Sequence, residues 1–166
     1  MTETDIIIKG KAVSRDGIII NIPDFYKMLK NYLAKEKGYT DFNEKNYEES
    51  VSNGLKTTKI KLEAKKKVDD YTEFKIETSF KISDYKLVLV HGKKSAKGNM
   101  KIEFDASLEN DYKEKWEKGF IDKFLRGIYD KIFLVSHFNK LGNEVKEECM
   151  DYIEMVKNHI NMVSER

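Results

Sequence analysis

The chain holds one cysteine, one proline, one tryptophan and three histidines in 166 residues. A lone cysteine, Cys149, excludes an internal disulfide framework and suits a reducing compartment. Proline only at Pro23 leaves long stretches free to form uninterrupted strands and helices. His91, His137 and His159 lie far from one another and from Cys149, so zinc-ligand spacing is missing. No apolar run approaches the roughly 20 residues of a membrane span. The acidic start Met1-Thr2-Glu3-Thr4-Asp5 is no signal peptide. These absences lead to the expectation of a soluble, cytoplasmic protein with no membrane, metal or cofactor role. The net charge of +2 is too small to argue for nucleic acid alone.

Charged residues, by contrast, reach 36%, well above the usual quarter, with lysine and glutamate dominant. Hydrophobic residues at 40% and aromatics at 11% suffice for an ordinary core. The length fits one domain with an appended helical element.

Residues 5–13 and 17–22 read as two strands joined by a turn at Ser14-Arg15-Asp16-Gly17. Pro23 suits the first turn of a helix carrying Phe25, Met28, Leu29, Tyr32 and Leu33, which Gly38 closes. From Tyr39 to Glu109 the pattern becomes period two. Ile60, Leu62 and Ala64 form one dry face; Phe74, Ile76, Thr78, Phe80 and Ile82 a second; Met100, Ile102, Phe104, Ala106 and Leu108 a third. Lysines and glutamates alternate with them, which predicts antiparallel strands with one wet face. With Val68-Asp69-Asp70 as a three-residue loop, Lys65 would face Glu73, Glu63 would face Lys75 and Lys61 would face Glu77. A shift of two residues would oppose like charges. Residues 85–91 break the alternation, so either both faces are covered there or Val88 and Val90 form a docking strip. Residues 92–99 read as a lysine-bearing loop.

The last third carries an apolar seam: Ile121, Leu125, Ile128, Ile132, Val135, Phe138, Leu141, Val145, Cys149, Tyr152, Val156, Ile160 and Val163. Its spacing of about 3.5 residues is that of helices packed along their length. Asn110 or Asp111 can cap its start, and Tyr112, Trp116, Phe120 and Phe124 add a second stripe. Unbroken from Tyr112 to Val163, this helix would extend roughly 78 Å. The globule before it is only about 35 Å across. A break near Gly142 would give a helical hairpin; continuity would give one rod reaching a second chain. Val145, Cys149, Tyr152, Val156 and Ile160 are the expected dimer seam.

No constellation points to catalysis. Cys149 lies on the seam, where a thiol acts as a small hydrophobe. His137 and His159 are expected on solvated helix faces. Gly92-Lys93-Lys94-Ser95-Ala96-Lys97-Gly98 fails as a phosphate loop, because its glycine–lysine pair does not follow four spacers and open a helix. Lys65, Lys66, Lys67, Lys93, Lys94 and Lys97 are the candidates for anion or nucleic-acid contact. Phe74, Phe80 and Phe104 fall on the dry side, which argues against base stacking on the sheet. The acidic pairs Asp69-Asp70 and Glu147-Glu148 diverge by adjacency and make no acid/base pair.

The order of elements resembles the helix-grip arrangement of the START and Bet v 1-like (SRPBCC) superfamily. The pattern and that resemblance together lead to the expectation of an α+β fold, with a curved antiparallel sheet of about five to seven strands and a long C-terminal helical region packed on the sheet and reaching beyond it. The chain departs from the family in having one N-terminal helix rather than two and a much longer C-terminal helical region. The resemblance also implies a cavity between sheet and helix, for which Phe74, Phe80, Phe104, Trp116 and Phe120 are the lining candidates. The expected division is a sheet-and-helix domain over residues 1–133, extended by a C-terminal helix over 134–166. The first functional expectation is a non-enzymatic binding protein, homodimeric through its last helix, acting on a macromolecular partner. A carrier of small apolar ligands is the alternative, and a ribosome- or RNA-associated factor the third.

Overall fold

The computed structural model describes residues 3–69, 72–110 and 134–164. Strand β1 (Glu3–Ile20) is followed by helix α1 (Ile22–Asn31) and a π turn (Tyr32–Glu36). Then come β2 (Asp41–Ser52), β3 (Leu55–Lys67), β4 (Thr72–Val90), β5 (Lys93–Asn110) and helix α2 (Leu134–Ser164). The architecture is α+β, with a five-stranded sheet in the order β1-β5-β4-β3-β2. Every neighbouring pair is antiparallel.

Two tight turns set the hairpins. Asn53-Gly54 (φ 54° and 77°) joins β2 to β3, and His91-Gly92 (φ 51° and 77°) joins β4 to β5. Positive φ at both central residues matches the twist of the flanking strands, and glycine adopts it without steric cost. The expected loop at residues 92–99 is therefore strand from Lys93 onward, and only Gly92 belongs to the turn.

The expected turn at Ser14–Gly17 is also absent. β1 is one strand paired with β5 from Glu3↔Asn110 to Ile20↔Ala96, and the irregular stretch is a bulge between Arg15 and Ile18. The 18-residue β5 offers a partner along the whole length, so the chain keeps pairing instead of turning back. Similar shifts fall between Ser83 and Lys86 of β4 and between Lys56 and Thr58 of β3. Gly98 stands opposite the β4 bulge, where a Cβ would lie 2.6 Å from Tyr85 Cβ and 2.7 Å from the Ser83 carbonyl oxygen.

The β3–β4 register differs from the expected one by two residues. Lys65 opposes Lys75 and Glu63 opposes Glu77. The third strand and the diagonals overturn the two-strand reckoning. Lys65 and Lys75 both reach Glu109 of β5, at 3.1 and 2.9 Å, and Lys61 reaches Glu77 diagonally at 3.0 Å. Lys45, at the β2 bulge, meets Glu63 at 3.4 Å. Burial alone would raise the Glu77 and Glu109 carboxyls, but their lysine hydrogen bonds outweigh it and hold both below the usual range. The β3–β4 connection is residues 68–71, closed by the Thr72 amide donating to Asp69 Oδ1 at 2.8 Å.

Both helices lie on the dry face. Asn21 caps α1, its Oδ1 accepting from the Asp24 amide at 3.0 Å. Phe25, Leu29 and Leu33 are buried, and Phe25 meets Phe80 edge-on at 5.6 Å between ring centres. Helix α2 runs unbroken through Gly142, where a Cβ would meet Ile7 Cδ1 at 3.4 Å. The missing side chain lets the helix lie close to β1. Leu141, Val145, Cys149, Tyr152, Val156 and Ile160 are all buried, in one hydrophobic cluster with Ile76, Ile102 and Phe104 of the sheet. The expected dimer seam (Val145, Cys149, Tyr152, Val156, Ile160) is thus core of its own chain. The sheet is long enough to shelter it, because β4 and β5 run 19 and 18 residues. The expected stripe of Tyr112, Trp116, Phe120 and Phe124, the cap at Asp111 and the seam from Ile121 to Ile132 lie outside the described residues. Asn110 is the last residue of β5, bonded to Thr72 and Asp5, and the helix start it was expected to cap lies outside the described residues.

Candidate functional site

The end of β1, the start of α1, the β4–β5 tip and the last turns of α2 meet at one corner of the molecule. Asn21 ties two of them together: while its Oδ1 caps α1, its Nδ2 donates to the Lys94 carbonyl oxygen at 3.2 Å. Between these elements opens a cleft of about 300 Å³ lined by Ile19, Ile20, Asn21, Asp24, Phe25, Val90, Ser95, His159 and Val163. Its walls are mainly apolar. Helical spacing puts His159 and Val163 one turn apart on the same side of α2. The His159 ring lies 5.9 Å from that of Phe25, tilted by 34°. The Asp24 carboxylate, at the lining, is paired with Lys93 at 3.3 Å. Ser95 is 6% exposed, and no group among the described residues hydrogen-bonds its hydroxyl. Two broader, more open grooves along α1 and α2 share Met28, Tyr32 and Met155, but carry Lys27, Lys35, Glu36, Asp151 and Glu154 on their walls. The corner cleft is the most enclosed of the three, and its lining joins five apolar residues to Asn21, Asp24, Ser95 and His159, a mixture suited to a small molecule.

The aromatic residues expected around a cavity are placed otherwise. Phe74, Phe80 and Phe104 are buried as expected for the dry face, but as packed core: Phe80 against Phe25, Phe104 edge-on to Tyr152 at 5.3 Å, Phe74 beneath the Lys66 ammonium at 5.3 Å. None of the three lines the corner cleft, because α1 and α2 fill the space above them. Trp116 and Phe120 lie outside the described residues.

The lysines fall into two groups at opposite ends of the sheet. Lys65 and Lys67 pair with Lys75 and Glu73, whereas Lys93 and Lys97 pair with Val90 and Lys86. The eleven residue steps from Lys75 to Lys86 on β4 span roughly 36 Å, so the six lysines form no single patch. Lys65 is bound to Glu109. Lys66 points to the helix side, donating to Glu148 Oε1 at 2.5 Å and to the Lys37 carbonyl oxygen at 2.8 Å. Tyr39 Oη, just before β2, donates to the other oxygen of Glu148 at 3.0 Å, so that Glu148 of α2 holds both the end of β3 and the approach to β2. Burial first, then the Glu148 carboxylate, push the Tyr39 hydroxyl far above its ordinary value. Lys94 and Lys97 are exposed on β5.

Three further expectations meet the structure here. His137 is on an exposed helix position, 3.2 Å from Asp69 Oδ2. His159 is half-buried and lines the cleft, not a solvated face, because Phe25 of α1 lies against its ring. Val88 and Val90 are half-buried, with Val90 on the cleft, and the exposed large hydrophobic residues of that strand are Leu87 and Leu89 at 51% and 74%. The cleft was missed because its lining comes from four separated segments, each short of a motif. The one local signal is the loss of alternation over residues 85–91. No helix of the described residues is long and apolar enough to cross a membrane.

Searches of protein-family models and of curated proteins find no match to this sequence.

Proposed function

We propose that this protein is a non-enzymatic binding protein of helix-grip type, holding a small, largely apolar ligand at the corner where its sheet meets both helices. The corner cleft carries this reading. Its volume of about 300 Å³ lies at the lower end of the usual range for ligand pockets. The bulges that line up across β1, β4 and β3 support a sheet curved toward the helices, since each bends its own strand. The reading replaces association through the last helix as the leading hypothesis, because the apolar surplus that motivated a dimer is absorbed in the core from Leu141 to Ile160.

The test is titration of the folded protein with the dye ANS, with near-ultraviolet circular dichroism confirming that packing is intact. Saturable binding of one dye per chain is expected, and Val163→Trp, which fills the cleft, should abolish it while leaving the dichroism unchanged. Absence of saturable binding, or binding indifferent to Val163→Trp, would remove the cleft as a ligand site.

A further inference from the structure

The cleft offers a choice of ligand chemistry that its apolar walls alone do not make. Buried hydroxyls in folded proteins almost always have a hydrogen-bond partner. Ser95 is buried to nine-tenths or more, lines the cleft and has no partner among the described residues. The other polar groups of the lining, Asn21, Asp24 and His159, are engaged, the last against the Phe25 ring. Asn21 uses its oxygen on the Asp24 amide and its nitrogen on the Lys94 carbonyl, and Asp24 holds Lys93. Ser95 is therefore the group placed to meet a ligand's polar atom, as donor or as acceptor.

The charge of that polar atom follows from the same surroundings. An anionic head would share the cleft with the Asp24 carboxylate, whose neutralising Lys93 is already committed. Desolvating a charge without a partner costs far more than desolvating a hydroxyl or carbonyl. A cationic head would have to compete with Lys93 for Asp24. We infer that the ligand is a neutral amphipath: an alcohol or carbonyl oxygen hydrogen-bonded to Ser95 Oγ, and an apolar remainder against Ile20, Phe25, Val90 and Val163. This inference rests on the cleft being a ligand site.

The experiment is displacement of a neutral dye, N-phenyl-1-naphthylamine, by 1-octanol and by octanoate. In the wild type, octanol should displace the dye at a concentration at least tenfold lower than octanoate. Ser95→Ala should weaken octanol about threefold to tenfold, the loss of one neutral hydrogen bond. Ser95→Thr, which keeps the hydroxyl, should stay within about twofold of wild type. The melting temperature of Ser95→Ala should be unchanged or higher, since no protein partner is orphaned. Octanoate binding as tightly as octanol, or octanol indifferent to Ser95→Ala, overturns the inference while leaving the cleft a ligand site. Failure of the dye to bind at all overturns the cleft itself. The wild-type comparison of octanol with octanoate decides the charge of the head even if a Ser95 variant does not fold.

Discussion

Two buried hydroxyls and one thiol show how single residues are held. Tyr152 Oη and Thr78 Oγ1 lie 2.9 Å apart in the core. Tyr152→Phe leaves the threonine without that partner, and a loss of about 1–3 kcal/mol in urea unfolding is expected. Gly98 has no room for a side chain against the backbone of Ser83 and Tyr85. Gly98→Ala should cost about 1–3 kcal/mol in the same assay, and a neutral result would mean that the β4 bulge relaxes freely. Cys149 is fully buried, and burial first, then the Asp105 carboxylate, pushes its thiol up to about 12. Native protein at pH 8 should therefore resist alkylation by iodoacetamide and react only as it unfolds, as mass spectrometry can follow. The sequence supported the inert reading of Cys149 from its seam position. It could not show that Ser95 would be buried without a partner, because that depends on where β4, α1 and α2 come together.

Strand pairing sets the next scale. Period-two alternation made the dry and wet faces of β3, β4 and β5 legible, and Phe74, Phe80 and Phe104 are where it put them. The register was not legible from two strands. Glu109, 32 residues beyond Glu77 in the chain, binds both Lys65 and Lys75 and reverses the local preference. Likewise Gly17 reads as a turn until β5 is known to continue past it. The ladder carries a pH prediction. Glu77 and Glu109 titrate below their ordinary values in the folded chain, so the unfolded chain takes up their protons first as acid is added. Their stabilisation is full above the unfolded carboxyl range and is lost as pH falls through the folded values. Chemical denaturation from pH 6 down to pH 3 should show stability falling, and Glu109→Gln should flatten that slope. An unchanged slope in Glu109→Gln would place the acid sensitivity elsewhere.

For the whole molecule, the apolar seam of the last helix and the sheet's dry face are two halves of one core. The sequence displayed both halves, but not that one packs on the other from Leu141 to Ile160, and an uncovered rod suggested a second chain. Val145→Asp puts a carboxylate at a fully buried position. If the seam is internal, this change should unfold the chain with a midpoint independent of protein concentration. A midpoint that moves with concentration, tracked by light scattering, would return the seam to an interface. The comparison isolates association from stability, since a core residue and an interface residue respond differently to dilution.

The strand order has a consequence during biosynthesis. β3, β4 and β5 follow one another in the chain and in the sheet, and β2 waits only for β3, but β1 pairs only with β5, the last of the five strands to emerge. At about 5–20 residues per second, the first strand waits on the order of 5–20 s for its mate. Through that interval Ile6, Ile7, Ile8, Ile18, Ile19 and Ile20 belong to a segment without its ladder. The nascent polypeptide is therefore most open to misassembly at β1, and chaperone capture during translation is expected to concentrate there.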